Sequence, residues 1–148
     1  MPFPVLFAVS VVFGLTAWGA VARQYTWNLK PILLLHGFRF LGLSFLVPGV
    51  VSPALPASLA QPIAYGDFLS AILALVALAA LGTRTGTVLA WIFNVFGMAD
   101  LLYGFYRGAL ISLPDTPGLL GAGYFILMAY VPLLFVTHVL AFRILVRR

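Results

Sequence analysis

The chain has 148 residues, of which 64% are hydrophobic and only 7% charged, with a formal net charge of +5. A soluble domain carries about 25% charged residues, and one of this length buries only about 70% of the surface its unfolded chain exposes; water is therefore excluded as the main solvent. Cysteine is absent, which removes disulfides, thiolate metal sites and cysteine nucleophiles.

In hydrocarbon only helices and closed barrels satisfy their backbone. The apolar runs here are continuous rather than alternating, which selects helices. The first run covers about residues 3–22 and is closed by Arg23. Ala20-Val21-Ala22 resembles a signal-peptidase site, yet no basic residue precedes Arg23 and the run is long enough to span. It reads as a retained span, with a four-span mature chain as the alternative. Pro31 opens the second run, which continues to about Val51, and a charge-free loop with Ser52, Pro53, Pro56 and Ser58 follows. Pro62 opens the third, ending near Gly82, and Gly82-Thr83-Arg84-Thr85-Gly86 leads tightly into the fourth, at about residues 87–106. A loop holding Pro114, Asp115, Pro117 and Gly118 precedes the fifth, at about residues 119–142. Arg143, Arg147 and Arg148 close the chain. Each run is near the roughly 20 residues that cross about 30 Å of hydrocarbon. With no repeat or low-complexity segment, residues 1–148 read as one all-α membrane domain, a bundle of five transmembrane helices. Pro132 inside the fifth run leaves the carbonyl of Met128 without its donor and predicts a kink.

Seven arginines and one lysine face three aspartates and no glutamate. In a soluble protein such a balance suggests nucleic acid; here the cations sit at run ends and act on topology and headgroups, so no nucleic-acid partner is expected. Arg23, Lys30, Arg84 and the arginine tail fall on alternate connections, whereas the second connection has no charge and the fourth sets Arg107 against Asp115. This pattern places the N-terminus outside and the C-terminus in the cytoplasm.

Ionisable groups at membrane depth are costly and are the first functional candidates. Counting residues gives two layers, an inner one with His36, Arg39 and His138 and an outer one with Asp67, Asp100, Tyr103 and Arg107; Asn94 lies near the midplane. Asp100, Tyr103 and Arg107 share one helix face, as do His36 and Arg39. A guanidinium cannot neutralise itself by losing a proton, so Arg39 needs an anion, and Asp67 or Asp100 is within reach. The expected site for a ligand or a proton relay is therefore Arg39, Asp67, Asn94, Asp100 and Tyr103, with the arginine holding an anionic or carbonyl group. A structural Arg–Asp clamp satisfies the same cost. Asn94 also fits a bond to a neighbouring helix. The tyrosines at 65, 103 and 106 and the tryptophans at 18, 27 and 91 fit an aromatic belt, and Ala71, Ala74, Ala77 and Gly97 fit packing positions.

His36 and His138, at equal depth on different helices, could ligate a b-type haem; otherwise no cofactor or metal is required by the sequence. Zinc, nucleotide and serine-hydrolase motifs are absent, which leans away from an enzyme. Three segments in order, His36-Gly37-Phe38-Arg39 with Gly42, Gly66-Asp67, and Trp91-x-x-Asn94-x-x-Gly97-x-x-Asp100-Leu101, resemble an uncharacterised family of small multi-pass bacterial membrane proteins. The resemblance implies that Arg39, Asp67, Asn94 and Asp100 form one constellation, and it implies no activity. The resulting expectation is a protein of the bacterial inner membrane that binds or translocates a small molecule or proton. Alternatives are an accessory structural subunit contacting membrane partners or further copies of itself within the bilayer, and a bis-histidine haem electron carrier.

Overall fold

The computed structural model describes residues 3–24, 26–116 and 118–147. Pro117 and Arg148, named above, lie outside them. The regular structure is helical, and five helices are long and apolar enough to cross a membrane: Phe3–Gln24, Leu29–Leu46, Ala57–Ala79, Arg84–Leu110 and Gly123–Val146.

The boundaries shift from those expected, for local reasons. The second span starts at Leu29, before Pro31, because Asn28 caps it by accepting the Lys30 N–H at 3.0 Å. It ends at Leu46 rather than near Val51, since Pro48 and Gly49 begin a turn. The third span starts at Ala57, so Pro62 lies inside the helix instead of opening it. Proline there removes the donor for the carbonyl of Ser58, and Arg107 Nη2 of the fourth span donates to that carbonyl at 2.9 Å. Arg107 thus caps that carbonyl, and its Nη1 donates to the Tyr103 hydroxyl at 2.9 Å. Loss of one such bond costs about 1 kcal/mol. Arg107→Leu is expected to lose that much stability in Pro62-containing protein and markedly less in a Pro62→Ala background, measured by reversible unfolding in mixed micelles.

The second span is α-helical through Gly37 and then 3₁₀ over Phe38–Leu46. A 3₁₀ run of this length is unusual, and two consequences matter. Its longer rise lets 18 residues cover about 31 Å instead of about 27 Å, enough to cross the hydrocarbon. Its threefold period also stacks every third residue, so His36, Arg39, Gly42 and Phe45 form one buried column. On an α-helix the column would drift by about 60° per step, turning Phe45 away from His36.

Side-chain contacts give the arrangement of the spans. Gly37 meets Leu75 and Gly42 meets Asp67, so the second and third spans are antiparallel. Gly66 meets Asp100 and Gly104 faces Ile63, which makes the third and fourth antiparallel. Trp91 lies against Phe142 and Phe105 against Phe135, pairing the fourth with the fifth. His36 on Thr137 and Phe45 near Gly123 bring the fifth back to the second. Spans two to five therefore close into a ring.

The first span lies outside this ring, parallel to the fifth. Ser10 is 2.9 Å from the Tyr124 hydroxyl, and Gly14 fits against the Met128 carbonyl and Pro132. The proline in the fifth span is preceded by a π-helical turn, Ile126–Tyr130. Such a turn shifts the backbone register, and Trp18 Nε1 donates to the carbonyl of Ala129 at 3.0 Å. Trp27 Nε1 likewise donates to the carbonyl of Ala22, in the last turn of the first span, at 3.0 Å. Ala71, Ala74 and Ala77 are buried as packing positions.

Candidate functional site

Arg39 sits at the centre of the ring with no exposed surface. The 3₁₀ column aims it inward, where side chains from three other spans meet it. Its Nε donates to Asp67 Oδ1 at 2.8 Å, and Nη2 lies 2.7 Å from that same oxygen. Nη2 also donates to Asp100 Oδ2 at 2.6 Å. Nη1 donates to the carbonyl of Gly97 at 3.1 Å and to His138 Nε2 at 3.2 Å. A guanidinium has five N–H groups; four of them donate in these hydrogen bonds, and the Nη2–Asp67 approach is an ion-pair contact. The question of which aspartate pairs with Arg39 is answered by both.

The donor count corrects one part of the sequence reading. Arg39 is fully buried and gives four of its five N–H groups to protein acceptors, which leaves it little for an anionic or carbonyl ligand. What remains available is on the carboxylates: Asp67 Oδ2 and Asp100 Oδ1 take no bond from Arg39, and both side chains keep a small exposed area, 15% and 12%. Both aspartates line a cavity of about 160 Å³ whose other walls are apolar, including Phe7, Phe45, Leu59, Ile63, Phe105 and Val131.

Three glycines make the cluster possible. A Cβ on Gly42 would overlap Asp67, and one on Gly66 would overlap the Asp100 carboxylate. On Gly97 it would stand 2.6 Å from His138 Cε1 and 2.8 Å from Arg39 Nη1. Spans two, three and four thus each offer a bare patch of backbone to a polar side chain of another span, the close approach that small residues permit between membrane helices.

The chemistry of the donors fixes the tautomer of His138. Arginine only donates, so His138 Nε2 accepts and its proton sits on Nδ1, which donates to Asn94 Oδ1 at 2.7 Å. Asn94 Nδ2 completes the link by donating to the His138 backbone carbonyl at 3.3 Å. Asn94 therefore bonds a neighbouring helix and, through that bond, orients the ring that receives Arg39. His36 Nε2 lies 2.9 Å from Thr137 Oγ1. That hydroxyl already directs its proton to the Leu133 carbonyl at 2.8 Å, so His36 donates. Its Nδ1 is buried and has no hydrogen-bond partner among the described residues.

Arg39, Asp67, Asn94 and Asp100 are thus brought together, and the two expected layers merge through Arg39. Tyr103 stands apart, largely exposed, with its hydroxyl on Arg107. The histidine rings do not fit a haem. Their centroids are 4.2 Å apart, leaving no gap for a porphyrin, and their Nε2 atoms are engaged by Thr137 and Arg39. Residues that sequence reasoning missed include Thr137 and Tyr130, whose hydroxyl donates to the Leu35 carbonyl at 2.9 Å next to the change to 3₁₀ geometry. The spacing of three from His36 to Phe45 was the available signal for that geometry.

Fold and site together define a multi-pass α-helical membrane protein whose four inner spans close on a buried arginine–aspartate cluster. The chain belongs to the family described as a domain of unknown function (DUF8737), which matches residues 6–146. No curated protein and no solved structure matches it significantly.

Proposed function

We propose that this membrane protein binds and passes a small cation, a proton in the simplest case, at the Asp67–Asp100 pair. One observation carries the reading: a single arginine faces two carboxylates, both of which line a cavity and keep a small exposed area. With both carboxylates ionised the cluster holds one negative charge in excess, which is costly at membrane depth. A proton or an ammonium group on the cavity side removes that excess. Arg39, His138 and Asn94 hold the pair in place, and the apolar walls admit the body of a small molecule. At about 160 Å³ the cavity is in the size range of one known to take benzene, about 150 Å³, so an amine of benzyl size is the matching solute.

The orientation supported by the positive connections, N-terminus outside and C-terminus cytoplasmic, puts the carboxylates in the outer half of the membrane. The bacterial inner membrane is the compartment to which this reading assigns the chain. The test uses the intact protein in lipid. Benzylammonium should bind in nanodiscs while neutral benzyl alcohol does not, and proteoliposomes should carry proton current under an imposed potential. Asp100→Asn, which retains the shape of the site, should abolish both. Absence of amine binding together with flux equal to empty liposomes in the parent protein would sink the proposal.

A further inference from the structure

A second, larger hollow lies on the other side of the fifth span, between it and the first and fourth. Its volume is about 630 Å³, within the roughly 300–1,000 Å³ of ligand pockets. Val11, Leu15, Leu102, Phe135 and Val139 make its walls apolar, and Gly19 forms part of its floor. A Cβ on Gly19 would meet nothing within 4 Å, so the missing side chain there leaves space that the fold does not fill.

One end of this groove is charged. Arg23 closes the first span and Arg143 lies in the last turns of the fifth, and both line the hollow. Because the first and fifth spans run parallel, the two guanidiniums come to the same end of the molecule. Both are exposed, and neither has an ion-pair or hydrogen-bond partner among the described residues. From Pro132 to Arg143 the helix rises about 16 Å, roughly half the thickness of the hydrocarbon and so one leaflet.

We infer that this groove is a binding site for an anionic phospholipid, with one acyl chain between the first, fourth and fifth spans and the headgroup phosphate on Arg23 and Arg143. The guanidinium fork matches phosphate oxygens, and a pair of them favours a lipid of net negative charge over a zwitterionic one. The lipid would also fill the seam between the first span and the ring. The site is independent of the Arg39 cluster.

The experiment is native mass spectrometry of the full chain, released from mild detergent after titration with phosphatidylglycerol or phosphatidylcholine. The parent should retain phosphatidylglycerol preferentially. Arg23→Gln with Arg143→Gln should weaken phosphatidylglycerol about thirtyfold, as expected for two lost headgroup contacts, and bring it level with phosphatidylcholine. Gly19→Leu places a side chain in open space, so it should fold normally and weaken both lipids about tenfold by occupying the acyl path. Arg84→Gln, away from the groove, should change nothing. Equal retention of both lipids by the parent, or unchanged phosphatidylglycerol affinity in the double variant and in Gly19→Leu, overturns the inference. Competition by glycerol phosphate alone also overturns it, because the site would then read a free anion and not a lipid.

Discussion

Arg39→Ala should be the most damaging single substitution in the chain, costing about 3–5 kcal/mol or preventing assembly of the bundle. Its guanidinium bonds spans three, four and five at once. Without it, two carboxylates face each other in a buried place, and the Gly97 carbonyl and His138 Nε2 lose a donor. Lysine would keep the charge but not the fork; it has three donors where Arg39 makes four hydrogen bonds, so Arg39→Lys should recover only part of the loss. Removing the whole ion cluster behaves differently from removing its centre. The triple variant Arg39→Leu, Asp67→Asn, Asp100→Asn is expected to regain most of the stability, because no charge is left stranded. Likewise, Asp100→Ala combined with Arg39→Ala should cost no more than the worse single change, which marks the two as one coupled unit. Unfolding in mixed micelles checks this; parent-like stability of Arg39→Ala would show that the cluster does not hold the spans together.

The second large effect concerns glycine, and its sign is the informative part. Alanine normally favours a helix over glycine by about 1 kcal/mol. At Gly66 the methyl group would occupy the place of the Asp100 carboxylate, so Gly66→Ala should instead destabilise by about 1–3 kcal/mol, the usual range for overpacking, and should uncouple Asp100 from Arg39. The same reversal is expected at Gly42 and Gly97, whose Cβ positions fall on Asp67 and on His138 with Arg39. Gly19→Ala, with nothing within 4 Å, should show the ordinary gain. Removing the obstacle restores the rule: in an Asp100→Ala background, Gly66→Ala should turn neutral or stabilising. A Gly66→Ala protein as stable as the parent, with Asp100 still on Arg39, would mean that the third and fourth spans are not as close as described.

These two sets of variants also separate the roles of the cluster. Loss of stability in Arg39→Ala reports the clamp. Asp100→Asn, which keeps the shape and can still accept from Arg39 Nη2, leaves most of the clamp intact and reports the binding role proposed for the carboxylate pair. A stable Asp100→Asn protein that still binds benzylammonium would leave the cluster with its structural role alone.

Composition and the length of the apolar runs determined that five helices would cross a membrane, because hydrocarbon forbids unpaired backbone and sets how much chain is needed. The charge rule for arginine determined that Arg39 must find a carboxylate, and the shortage of acids left only Asp67 and Asp100. Boundaries at prolines were less legible. Pro62 reads as a helix start, yet its orphaned Ser58 carbonyl is taken by an arginine 49 residues away, a contact that no local pattern encodes. Tertiary structure alone decided that one guanidinium holds both aspartates, that a 3₁₀ column aims it, and that its hydrogen bonds all go to groups within the protein. Those facts depend on helix rotation and close approach, which sequence spacing leaves free until side chains from four spans compete for one small volume.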